Sequence, residues 1–189
     1  LYIGTLIRKK GVLELPDIFK KVRDEIPEAK LVLIGADSFD VKTNSSSTWQ
    51  LMKNQFTEDD LKHVAYLGKI TYHEIQEYIK KANVCVFPTF AETFGMVTVE
   101  AMALQKAIVN SDIGWSKELI IDGEYGFLVN PKKHQLYADR IIELMRNDLL
   151  CLQMGKKARE SAEIKFDIIK LGEENKKFYC KIVNQYKNH

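Results

Sequence analysis

At 189 residues, with 46% hydrophobic and 29% charged side chains, the chain can enclose one substantial core and has the composition of an ordinary water-soluble domain. Its 28 Lys and Arg stand against 26 Asp and Glu, a formal charge of +2 with both signs interspersed, so nothing in the charge calls for nucleic acid as a partner. Cys85, Cys151 and Cys180 are far apart and odd in number, which excludes complete internal pairing and fits a reducing cytoplasm, and no apolar run approaches the roughly 20 residues that span a bilayer.

The chain opens on Leu1-Tyr2-Ile3-Gly4-Thr5, without an initiator Met and already a strand entering a glycine turn, so we expect a piece whose upstream half is missing. Further short apolar runs follow at Lys30 to Gly35, His63 to Leu67, Val84 to Phe87, Ala107 to Asn110 and Gly126 to Val129. Their apolar residues are consecutive, as in strands covered on both faces, and helical stretches lie between them; the pattern predicts a parallel α/β sheet. Thr71 with Glu74 has the spacing of a capping box that starts a helix ending near Lys81, and Thr57 with Asp60 is a weaker version of the same device. Ahead of both, the polar, aperiodic stretch from Asp37 to Thr48 predicts a mobile loop at the carboxyl end of the second strand, the edge where open α/β sheets bind ligands. From Lys133 onward the chain predicts helix only, with Tyr137, Ile141, Leu144 and Met145 forming one apolar stripe and Phe178, Ile182 and Tyr186 another.

The chemistry concentrates between Phe87 and Ala103, where a buried strand turns through Gly95 into a helix. The first amides of that helix, near Gly95, Met96 and Val97, lack intrahelical partners and point outward, a ready site for a diphosphate or a sugar hydroxyl. Glu92 precedes the turn and Glu100 lies within the helix, so the two carboxylates can accept hydrogen bonds from opposite ends of one polyol. By spacing alone a bland reading competes, since glutamates are usually solvated and such turns are common in Rossmann-like sheets.

Glu92 and Glu100, separated by seven residues and followed by Ala101-Met102-Ala103, resemble the E-x7-E signature of retaining GT-B glycosyltransferases of family 4. Gly4 with Lys10-Gly11, Pro27 with Ala29 to Gly35, and Val64 to Gly68 resemble the earlier segments of that family's C-terminal domain. Ser111 to Gly114, Glu118, Asp122-Gly123, Gly126, Leu128-Val129, Pro131 and Phe166-Asp167 resemble the later ones, in order. The resemblance implies a Rossmann-like parallel sheet of about six strands flanked by helices, the C-terminal half of a GT-B fold. It spans residues 1–189 with a helical tail, residues 165–189, packing back toward an N-terminal acceptor-binding domain. It further implies that Glu100 holds ribose hydroxyls and Glu92 contacts the transferred sugar. Backbone amides at Phe94, Gly95, Met96 and Val97 would bind sugar and phosphate oxygens, Lys10 would neutralise the diphosphate, and Lys69 and Ile70 would meet the base. Gly4, Thr5, Arg8 and Gly35 complete the implied donor-binding set, with Glu92 and Lys10 as the catalytic pair. Two positions depart from the family: Thr5 stands where an arginine usually follows the first glycine, leaving Arg8 or Lys9 as substitutes, and Trp115 replaces the second of two glycines, its indole either shaping the sugar pocket or simply packing.

His63, His73, His134 and His189 show no metal spacing and no Asp-x-Asp occurs, so no metal and no cofactor is expected beyond the nucleotide diphosphate sugar itself. His73 and His134 read as exposed helix starts, and Cys85 as core. Arg8-Lys9-Lys10 and the Lys-rich tail suit either an anionic inner-membrane face or plain solvation. The expected function is transfer of a hexosyl-type sugar to a saccharide or lipid-linked acceptor, with retention, in polysaccharide or glycoconjugate synthesis, the piece alone being inactive. A sugar-nucleotide epimerase of the same fold and a noncatalytic nucleotide-binding module remain as alternatives.

Overall fold

Strands with consecutive apolar residues need cover on both faces, and the chain provides it except at the edge strand Val64–Tyr66, where Ala65 is exposed. The computed structural model describes residues 1–187; Asn188 and His189, with the histidine counted above, lie outside the described residues. The strands are β1 (Tyr2–Ile3), β2 (Leu31–Ile34), β3 (Val64–Tyr66), β4 (Val84–Phe87), β5 (Ala107–Ser111) and β6 (Phe127–Val129). Between them lie α1 (Leu15–Glu25), α2 (Thr48–Lys53), α3 (Glu58–Leu61), α4 (Tyr72–Lys81), α5 (Met96–Ala103) and α6 (Ser116–Leu119), followed by α7 (His134–Arg146), α8 (Asp148–Phe166) and α9 (Ile168–Lys187). In β4, Val84 and Val86 join a core built with α1 and α7, whereas Cys85 and Phe87 join a second core built with α4, α5 and α8. Burial pushes the Cys85 thiol up to about 11, in keeping with a small core residue.

All pairings are parallel, but the strands form two three-stranded sheets, β1-β2-β3 and β4-β5-β6, and not the single sheet of about six strands that the sequence predicts. The reason is the length of β1. Gly4 already turns away, so among the described residues only Leu1 is hydrogen-bonded to the other sheet, donating to the Val84 carbonyl at 2.9 Å and accepting from the Val86 amide at 2.9 Å. Edge to edge, the strands therefore run β3-β2-β1-β4-β5-β6, and the direction of winding reverses between β1 and β4. The carboxyl ends of strands flanking such a reversal leave a crevice into which both following loops open.

Those two loops are bolted together. The Lys9 carbonyl accepts from the Phe90 and Ala91 amides at 2.8 and 3.2 Å and from the Thr89 hydroxyl at 3.2 Å. Gly11 adopts the left-handed conformation at φ 69°, and a Cβ there would stand 1.7 Å from the Pro88 carbonyl oxygen. On the far side the buried Tyr137 hydroxyl of α7 donates to the Val109 carbonyl at 2.6 Å and accepts from the Phe87 amide at 3.2 Å, fixing the end of β4 against β5.

Both capping boxes form, and the one at Thr57 is as complete as that at Thr71, with Arg23 of α1 pairing to Asp60 at 2.7 Å. The stripe on α7 is buried as expected, with Met145 packed against the same core. The tail differs: its helix starts at Ile168, and Phe178 and Tyr186 of the second stripe are exposed, with no neighbouring element laid over them among the described residues. No helix is long and apolar enough to cross a membrane among the described residues.

Gly11→Ala combines an unfavourable positive φ with a backbone collision. We expect it to destabilise the chain by about 3 kcal/mol or more in urea unfolding, the range reserved for strained or overpacked positions; a loss below about 1 kcal/mol would show that the two loops are not locked here.

Candidate functional site

The crevice between the loops after β1 and β4 is a cavity of about 330 Å³, within the range of small-molecule sites. Gly4 and Thr5 close one side, and Glu92 to Thr98 with Trp115 the other. Lys10 reaches in from the first loop and donates to the Glu92 carboxylate from the second. Both side chains are largely covered, at 23% and 18% exposure, so their charges are only partly screened. Burial and the neighbouring Lys9 charge draw the Lys10 pKa below its ordinary value, while the Glu92 carboxylate beside it works the other way. Lys10 is the one cationic side chain lining this cavity among the described residues.

The turn before α5 behaves as the sequence implies. Gly95 caps the helix at φ 81°, in the left-handed region, and offers no side chain to its amides. Thr98 and Val99 donate back to the Gly95 carbonyl, whereas the Met96 and Val97 amides have no acceptor among the described residues and open on the cavity. The helix is held in place by Asn110 of β5, whose side-chain amide donates to the Thr98 hydroxyl at 3.1 Å. Phe94, on the same loop, meets Phe166 at the end of α8 edge to face, with centroids 5.6 Å apart.

A model of the family described as glycosyl transferases group 1 matches residues 1–161. The chain belongs to this family. Among its relatives, N-acetyl-alpha-D-glucosaminyl L-malate synthase of Bacillus anthracis is 29% identical over 188 residues, covering 100% of this chain and 46% of that protein. The capsular polysaccharide biosynthesis glycosyltransferase CapM of Staphylococcus aureus is 28% identical over 178 residues, 94% of this chain and 44% of that one. In fold, Anabaena HepE, solved in complex with UDP, superimposes with a TM-score of 0.82 at 23% identity over 95% of this chain and 48% of its own. The chain thus spans less than half the length of these relatives.

Not every residue implied by the family resemblance reaches the cavity. Gly35 lies behind it, where a Cβ would stand 2.1 Å from the Gly4 carbonyl oxygen, so its role is to let β2 pass close under the first turn. Glu100 lies one turn beyond Met96 on α5 and borders a separate cavity of about 240 Å³ with Tyr72 and Arg159. Burial raises its pKa above the ordinary carboxylate value, and the Tyr72 hydroxyl draws it back. Lys69, exposed, and Ile70, half-buried, follow β3 and line neither cavity.

Arg8, one of the two candidate substitutes for the arginine missing at Thr5, is not in the lining of the cavity. Its guanidinium is engaged in a bidentate pair with Asp40, Nε to Oδ1 at 2.9 Å and Nη2 to Oδ2 at 2.7 Å. Asp40 also accepts from the Thr43 amide and hydroxyl, and Asp37 accepts from Ser47 and from the Trp49 amide. The stretch expected to be a mobile loop is therefore laced to the first turn, because its short polar side chains satisfy one another and Arg8. His134, read as an exposed helix start, is instead half-buried, with Nε2 2.6 Å from Glu14 Oε2; His73 is exposed as expected. Tyr2, Thr89 and Tyr72 were missed by reasoning from sequence. Only Thr89 carried a signal, as a hydroxyl directly after a strand and ahead of the turn.

The Arg8 guanidinium, and then the Thr43 hydroxyl, hold the Asp40 carboxyl well below the usual carboxylate range. Its stabilising contribution is complete above about pH 4 and fades as the pH falls toward the folded-state value. Asp40→Asn is expected to lower the urea midpoint at pH 6 and to flatten its decline between about pH 5 and 3; an unchanged pH profile in the variant would contradict this.

Proposed function

We propose that the chain is the donor-binding domain of a retaining GT-B glycosyltransferase of family 4, which holds a nucleotide diphosphate sugar across the β1–β4 crevice. The observation that carries the reading is the pair of unpaired amides, Met96 and Val97, opening on a cavity that also presents Lys10. A helix N-terminus and one cation are matched to a diphosphate, whose charge they offset without needing a metal ligand set. Glu92, ion-paired to that cation, is placed to accept hydrogen bonds from the sugar next to the phosphate. In this reading the nucleoside runs outward along α5, past Met96 to Glu100, whose carboxylate beside a second cavity accepts from the ribose hydroxyls; the base is assigned to the backbone near Lys69 and Ile70 on the family resemblance alone.

The same reading includes transfer with retention. The bond between the anomeric carbon and the phosphate oxygen breaks, its electron pair stays on the phosphate, and the acceptor hydroxyl bonds to the same face of that carbon while passing its proton to the departing phosphate. Negative charge grows on the diphosphate, where the Met96 and Val97 amides and Lys10 meet it, so they act on the transition state more than on the ground state. Glu92 positions the sugar, and the acceptor is presented by an N-terminal domain of the same protein. HepE is described with UDP bound and CapM with capsular polysaccharide synthesis, which supports a nucleotide-sugar donor and a polysaccharide product. A cytoplasmic setting near the inner membrane face suits such a product.

Calorimetric titration with UDP, GDP and ADP tests the reading. One of the three is expected to bind saturably, and Lys10→Ala to weaken it about tenfold, the loss of one charge-assisted contact. Glu100→Ala is expected to weaken the nucleotide as well, through its ribose. Absence of binding to a folded chain, or binding indifferent to both variants, would overturn it.

A further inference from the structure

The turn after β5 places a tryptophan where it governs the floor of the crevice. Gly114 takes the left-handed conformation at φ 56° and hands over to Trp115, the N-cap residue of the short helix α6. The indole is half-buried, packs on the core beneath α5 and lines the same cavity as Lys10 and Glu92. It also touches the cap of α5: a Cβ at Gly95 would stand 2.5 and 2.6 Å from Trp115 Cζ3 and Cη2. The ring thus abuts the very residue whose neighbours, Met96 and Val97, offer their amides.

The crevice consequently has two unlike kinds of lining. Its polar lining is Lys10, Glu92 and the free amides; its apolar lining, beside them and against Gly95, is the Trp115 indole together with Phe87. A ligand that satisfies both has hydroxyls around its rim and C–H bonds on its faces, which is the chemistry of a pyranose ring. Its C–H bonds, made positive by the neighbouring oxygens, are attracted by the negative face of an aromatic ring. We propose that Trp115 is a specificity-determining wall of the sugar subsite, selecting a hexopyranose with an apolar face and supplying the affinity that a sugar nucleotide gains over the bare nucleotide. This rests on the donor-site reading given above.

The chain contains two tryptophans, and Trp49 is held apart from the crevice against Tyr66, so Trp49→Phe leaves Trp115 as the sole indole reporter. In that background UDP, GDP and ADP are titrated beside UDP-glucose, GDP-glucose and ADP-glucose, by calorimetry and by tryptophan emission. For the base that binds, the glucose conjugate is expected to bind more tightly than the nucleotide, by about threefold to tenfold, and to shift the Trp115 emission where the nucleotide alone does not. Trp115→Gly, made in the otherwise unaltered chain, is expected to bring the ratio of conjugate to nucleotide affinity, both measured in that variant, close to one, and Trp115→Phe to keep part of it. An increment of equal size in Trp115→Gly and Trp115→Phe would overturn the inference while leaving the donor-site reading intact. If none of the six compounds binds, the donor-site reading itself fails and the inference falls with it.

Discussion

The Lys9 carbonyl is the point on which the site depends. It draws the Phe90 and Ala91 amides and the Thr89 hydroxyl across the reversal between β1 and β4, so that two loops distant in sequence become one wall. The close approach is possible because Gly11 presents no Cβ to the Pro88 carbonyl. Lys10 is one residue from this junction on one side and Glu92 one residue from it on the other, so their ion pair follows from the backbone register. The sheets themselves add few backbone bonds to the crossing, since among the described residues they are hydrogen-bonded only through Leu1.

Within that frame the electrostatics are spare. Arg8 is withdrawn into its pair with Asp40, Thr5 brings no charge, and the cavity is left with Lys10 as its cation among the described residues. Lys10 is itself half neutralised by Glu92. An anion entering here must therefore be met largely by backbone, by the Met96 and Val97 amides, whose orientation is fixed by Gly95 and by the bond from Asn110 to Thr98. Fixed dipoles need no rearrangement as charge develops on a leaving group, which is why a helix terminus can serve where a second cation is absent.

Much of this was legible in the residues. Consecutive apolar runs such as Val84 to Phe87 could only be strands with a core on either face, and the capping spacing at Thr71 marked the start of α4. The turn at Gly95 and the glutamates around it were visible for the same reason, because local chemistry fixes local conformation. What escaped was long-range. That β1 would be too short to fuse the sheets, that Asp40 would capture Arg8 across 32 positions, and that Trp115 would rest on Gly95 depend on contacts that no window of sequence contains. The polar stretch from Asp37 to Thr48 misled because its composition suits an ordered network of side-chain hydrogen bonds as well as a loose loop.

The central claim is that the β1–β4 crevice, and no other surface, receives the diphosphate. Amide NMR of the labelled chain during titration with UDP, GDP and ADP tests it most directly. The expected result is a set of large shifts confined to Gly4, Thr5, Lys10 and Gly95 to Val97, with the Met96 and Val97 amides moving downfield as they gain an acceptor. A different apolar cavity, of about 350 Å³, lies between α1 and α4 at the opposite ends of the strands, lined by Ile18, Val22 and Tyr78. Shifts centred there, with Met96 and Val97 unmoved, would contradict the account.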